Sequence, residues 1–170
     1  GVNLAAMVVV AFFFGALLGT GLPPAPTYII TAVVIAPPMI KVGVDPWVVH
    51  FFAFFLGVWG EVTPPTSISA AITSKIAGAP FLRTLFRAIT ICFSLFILMA
   101  GVFTRPALVL QPGLAQVGAL LLLLTATIGA SFSLQAHFAD RRVIDVPLRL
   151  ILAALVLVVI FHPDQRVAAL

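Results

Sequence analysis

The sequence predicts an all-α polytopic membrane protein, and three observations carry that prediction. Hydrophobic residues make up 62% of the chain and charged residues only 8%, with a mean hydropathy of +1.25. Apolar runs of helical length alternate with short polar turns on which Lys and Arg collect. Several of those runs stop at Gly/Pro clusters well short of a membrane crossing. The composition excludes an ordinary water-soluble domain. The period-two segments of an outer-membrane barrel are absent. Nine Lys and Arg give a formal charge of +4 but are scattered. They read as topology signal for a chain whose main partner is the lipid bilayer, and no basic run interleaved with aromatics points to nucleic acid. Cys92 is the single cysteine, so no internal disulfide is possible.

Residues 4–18 form a short apolar helix whose Met7, Ala11, Gly15 and Gly19 lie four apart on one face. Its rise of roughly 22 Å falls short of a hydrocarbon core of about 30 Å. It meets the breaker Gly19-Thr-Gly-Leu-Pro-Pro-Ala-Pro26, after which residues 28–36 resume an apolar helix that Pro37 and Pro38 are expected to interrupt. Two short arms around a Gly/Pro tip fit a re-entrant hairpin over residues 4–36, with the tip at mid-membrane depth. Two tilted helices joined by a surface loop fit the same residues. The opening Gly-Val-Asn-Leu shows no signal-peptide pattern, and a segment of a larger protein is expected.

Asp45 before Pro46 and Trp47 predicts an N-cap with proline at the first helical position. The helix that follows runs from Trp47 to Trp59 and then meets Gly60-Glu-Val-Thr-Pro-Pro65. Pro64 and Pro65 each lack an N–H and clash with the preceding turn, so a broken helix is predicted over residues 47–78. Freed carbonyls at membrane depth need protein, water or an ion as partner. Beyond the break, Ser67, Ala70, Ala71, Ser74 and Gly78 make a small-residue stripe. Thr66, Ser69 and Thr73 make a hydroxyl stripe, which could equally bond back to preceding carbonyls. Gly78 is placed to cap the resumed helix. His50 reads as a satisfied or interfacial side chain.

Residues 81–103, 114–132 and 148–161 read as about three full spans. Lys75, Arg83, Arg87, Arg141 and Arg142 are expected on the cytoplasmic face, with Arg105 and His162 on the other.

Taken in order, Gly19-Thr-Gly-Leu-Pro-Pro24, Tyr28-Ile-Ile, Gly43-Val-Asp-Pro46, Glu61-Val-Thr-Pro-Pro65 and Ile76-Ala-Gly78 form a set. It resembles the second half of the large permease subunit of tripartite ATP-independent periplasmic (TRAP) transporters, of the fused-permease type. The resemblance implies residues 1–105 as the second repeat of an inverted-repeat, elevator-type transport module and 106–170 as a C-terminal two-helix extension. It implies sodium-coupled import of an organic acid received from a periplasmic binding protein, in the bacterial inner membrane. It implies no cofactor beyond sodium as coupling ion. The implied partners are an earlier repeat, which would complete the cavity, and small-subunit helices of the same permease. The implied cation ligands are Gly19, Gly21, Gly60, Thr63 and Thr66. The implied substrate contacts are Thr20, Pro23, Glu61, Pro64, Pro65 and Ser67. Open backbone at Gly60–Thr63 and the Thr63 and Thr66 hydroxyls would offer neutral oxygens suited to a hard cation. The start of the resumed helix would favour a carboxylate.

A divalent-anion-type symporter would be expected to carry Ser-Asn-Thr tips, and none occurs. A non-transporting scaffold would need no double break. An intramembrane enzyme would need paired acids or a Ser/His pair, whereas Glu61 is the sole acid at membrane depth and His50 lies about three turns before it.

Overall fold

The computed structural model describes residues 3–162, and among them every regular element is a helix. The chain divides into two compact units, one up to Leu95 and one from Phe96 onward.

The first unit is built from α1 (Leu4–Gly19), α2 (Pro24–Lys41), α3 (Pro46–Gly60), α4 (Ile68–Ala77) and α5 (Phe81–Ile91). Asn3 caps α1 by accepting from the Ala5 N–H at 3.0 Å. A turn at Thr20 to Pro23 reverses the chain, and α2 opens with Pro24 at its first position, where a missing N–H costs nothing. Ala6 and Val10 near the start of α1 share a groove with Ile35 and Met39 near the end of α2, so the two arms run antiparallel.

One expectation is corrected here. Pro37 and Pro38 do not interrupt α2, which continues through them to Lys41. A proline removes only its own bond to the carbonyl four residues back, and these two fall in the last turns, where few bonds remain to lose. The carbonyls beyond them are recovered locally. Val42 N–H donates to Pro38 O at 3.3 Å and Val44 N–H to Met39 O at 3.1 Å. Gly43, at φ +96°, makes the stop.

α3 is the centre of this unit and touches both α1 and α2. Asp45 caps it as expected, accepting from Trp47 N–H at 2.8 Å. Its Val49, Phe52, Ala53 and Leu56 are buried, as are Ala11, Gly15, Ala16 and Gly19 on α1. The missing side chain of Gly15 is what seats Leu56: a Cβ there would lie 2.4 Å from Leu56 Cδ2. Tyr28 on α2 reaches His50 on α3, phenol oxygen to Nδ1 at 3.1 Å, so this histidine is satisfied by a neighbour. α4 is capped at its start by Ser67, which accepts from Ala70 N–H at 3.0 Å, and stopped by Gly78 at φ +62°.

α5 is followed by a turn at Cys92 and Phe93 and then α6 (Ser94–Thr104). Together they make one apolar stretch, Phe81–Thr104, long enough to cross a membrane. The second unit adds α7 (Ala107–Leu110), α8 (Leu114–Gln135) and α9 (Arg142–Phe161). The last two are also long and apolar enough to cross, which matches the three spans expected. Small residues set the close approach of α8 and α9, with Gly129 under Val156.

Two arginines close helix ends in this unit. Arg149 donates to Ser133 O and Leu134 O, both at 2.6 Å, covering the last carbonyls of α8. Asp145 sits 3.7 Å from the same guanidinium and accepts from Phe138 N–H at 2.7 Å. At the other end Arg105, only 4% exposed, donates to Val159 O at 3.0 Å and His162 O at 2.8 Å, capping α9. Arg105 and the last residues of α9 therefore share one end of the unit, and Arg142 starts the same helix at its other end. Charge-assisted hydrogen bonds of this kind contribute about 1.5–3 kcal/mol. Arg105→Met is expected to lower the thermal midpoint of the purified protein by a loss of about 2 kcal/mol, read by near-ultraviolet circular dichroism.

Candidate functional site: a hairpin tip against a broken helix

The predicted break is present. α3 ends at Gly60, α4 starts at Ile68, and residues 61–67 belong to neither. The ladder first tightens, with Glu61, Val62 and Thr63 N–H donating to the carbonyls of Val58, Trp59 and Gly60 at 3.3, 3.0 and 3.1 Å. This modifies the expected open backbone, since the Trp59 carbonyl already accepts from Val62 N–H and the Thr63 hydroxyl and the Gly60 carbonyl from Thr63 N–H. The reason is local: with no proline before position 64, Glu61, Val62 and Thr63 keep their N–H groups and close the turn. The opening proper begins one residue later. Glu61 O accepts from Ser67 Oγ at 2.6 Å, and Ser69 Oγ donates to the Glu61 carboxylate. Among the described residues no hydrogen bond reaches the Val62 or Thr63 carbonyl.

The hairpin tip comes to this break through two glycines. A Cβ on Gly19 would lie 2.3 Å from Gly60 Cα, and a Cβ on Gly60 would lie 2.7 Å from Gly19 Cα. No side chain fits between them, and both residues are buried. One turn earlier on α3, Gly57 lets the Pro24 carbonyl approach to 2.8 Å of where its Cβ would be. Thr66 Oγ1 then donates across the junction to the Thr20 carbonyl. The tip and the break are thus joined by backbone contact and by one hydroxyl.

Of the residues expected to carry function, Gly19, Thr20, Gly60, Glu61, Thr66 and Ser67 gather at this junction. Gly21 and Pro23 do not: both are exposed, and a Cβ on Gly21 would meet nothing within 4 Å. They lie on the outer side of the tip. Pro64 and Pro65 are exposed and joined by a cis peptide bond. The Thr63 hydroxyl donates to Trp59 O at 3.2 Å, inside its own turn. The Thr20 hydroxyl likewise turns back, to Leu17 O at 2.7 Å, which leaves its carbonyl facing the break.

Sequence reasoning missed Gly57 and the Ser69–Glu61 bond. Gly57 and Gly60, three apart, were the available signal for small residues on α3 where Pro24 and Gly19 approach. The Ser69–Glu61 bond had none, because it depends on how the break folds.

Chemically, the junction holds neutral oxygens from two elements: the Thr20 and Glu61 carbonyls and the Thr66 and Ser67 hydroxyls. No group of three or more His, Cys, Asp and Glu that could hold a transition metal occurs among the described residues. Comparison with curated proteins and with solved structures finds no match. The family model for the tripartite ATP-independent periplasmic transporter, DctM component, matches residues 2–108, which contain the hairpin, the broken helix and the first full-length span, and the chain belongs to that family of membrane transport proteins.

Proposed function

We propose that this chain supplies one half of a sodium-coupled importer of organic acids. In this reading a periplasmic binding protein delivers the carboxylate at the inner membrane. A preceding repeat contributes the other half of the cavity, and small-subunit helices hold the module in place. The observation that carries the proposal is the Gly19–Gly60 apposition with its Thr66–Thr20 hydrogen bond. It brings oxygen atoms of a hairpin tip and a helix break to one point, the arrangement by which broken helices hold coupling ions.

A hard monovalent cation suits such a set, because neutral carbonyl and hydroxyl oxygens replace its water without sulfur or imidazole. Glu61, bonded to Ser69, orders the break rather than ligating the ion. The start of α4 near Ser67 faces the same junction, and its partial positive charge favours a substrate carboxylate. Cation and anion held close together lower each other's desolvation cost, and each raises the other's affinity by the same factor.

The full-length permease in proteoliposomes, supplied with its binding protein and a loaded carboxylate, tests this. Uptake is expected to follow an imposed sodium gradient and to stop when sodium is replaced by choline. Uptake that instead follows a proton gradient at zero sodium would overturn the coupling.

A further inference from the structure

The break and α4 face α5 across a cavity of about 650 Å³ in the first unit. Its lining along α5 changes character with position. Arg83 and Arg87, one turn apart on the same face, stand at the start of the helix. The face then continues through Ala88, Ile91, Cys92 and Leu95, all apolar or weakly polar. The opposite wall adds the Ser69 and Thr73 hydroxyls. Both arginines are exposed, and among the described residues neither has an ion-pair partner; Glu61, the one acid of the lining, is bonded to Ser69.

The register against the membrane gives this pattern its meaning. Phe81–Thr104 is long and apolar enough to cross a bilayer, and Arg83 and Arg87 lie in its first two turns. Both thus lie near one end of that span, from which a long arginine side chain can reach the headgroups. Arg83 to Leu95 covers a rise of roughly 18 Å, slightly more than half of a hydrocarbon core of about 30 Å. A ligand that fills this groove carries negative charge at one end and a chain of one leaflet's depth behind it. A free carboxylate lacks the chain, and an apolar partner helix would leave two charges unmatched at one end.

We propose that this cavity binds an anionic glycerophospholipid of the surrounding bilayer. Its phosphate sits on Arg83 and Arg87, and an acyl chain runs along Ile91, Cys92 and Leu95. The lipid's other side touches Ser69 and Thr73, beside the break, so occupancy stiffens the segment that α3 and α4 leave open. This inference rests on the membrane reading of the chain and not on sodium coupling or substrate.

Native mass spectrometry of the purified, delipidated permease tests it. Phosphatidylglycerol is added back, with phosphatidylcholine of the same chains and inorganic phosphate as comparison probes. Each basic residue near an anionic surface is worth about fivefold in affinity, so Arg83→Gln with Arg87→Gln is expected to weaken phosphatidylglycerol retention about 25-fold. Both side chains are exposed, and the circular dichroism spectrum should be unchanged. Ala88→Trp, which fills the chain-level part of the groove with the arginines intact, should also reduce retention. Undiminished retention in either variant, or equal retention of phosphatidylcholine, overturns the proposal. So does competition by inorganic phosphate or by the transported carboxylate at matching concentrations, which would make the groove a site for free anions.

Discussion

Gly60→Ala is expected to reduce uptake by the full-length permease about tenfold to a hundredfold while leaving its insertion intact. The added methyl would sit 2.7 Å from Gly19 Cα, and the obstacle is backbone rather than a flexible side chain. Ordinary carbon contacts need about 3.5–4.0 Å, so tip and break must part by roughly 1 Å. Overpacking of this kind typically costs about 1–3 kcal/mol, a factor of about five to more than a hundred in whatever state requires the contact. The parting falls on the oxygens that the Thr66–Thr20 bond holds together, so sodium dependence should degrade along with rate. Gly118→Ala is the control. It is also helical, but its Cβ would meet nothing within 4 Å, and uptake should be unaffected. Normal uptake in Gly60→Ala at normal expression would mean that the two glycines are only a packing seam.

Thr66→Val is expected to raise the sodium concentration for half-maximal uptake about tenfold. Valine keeps the size and loses the hydroxyl that reaches the Thr20 carbonyl, a side-chain bond between tip and break. A net hydrogen bond is worth about 0.5–1.5 kcal/mol, and the upper end corresponds to about tenfold in affinity. Thr63→Val should act in the same direction but more weakly, because the Thr63 hydroxyl spends its proton on Trp59 O within its own turn and offers an ion only its remaining lone pairs. A sodium series in proteoliposomes, at fixed saturating substrate, reads both variants. An unchanged sodium requirement in Thr66→Val would leave that hydroxyl a structural tie between two elements. A larger effect from Thr63 than from Thr66 would move the ion up the broken helix, towards the Val62 and Thr63 carbonyls.

Features that depend on a few consecutive residues were legible in the sequence. Composition and run length set the class and located the three spans, because hydrocarbon selects on length and polarity alone. Asp45-Pro46 and Gly78 marked helix ends because caps are satisfied within a turn. The double proline marked the break because a missing N–H cannot be restored from elsewhere. The buried face of α1 followed from residues four apart. Local rules erred where context outweighed them. Pro37 and Pro38 were tolerated because they fall where α2 has few bonds left, and the last carbonyls found donors in Val42 and Val44. Other features lay between segments distant in the chain, and only the tertiary structure decided those. Periodicity shows that Gly19 and Gly60 each lie on a small-residue face but not that the two faces meet. Nor does it show that the Thr20 carbonyl, rather than its hydroxyl, turns to Thr66, or that Arg105 closes the far end of α9. Those outcomes depend on how closely two backbones approach, which is set by every side chain along both helices at once and is written in no single stretch of sequence.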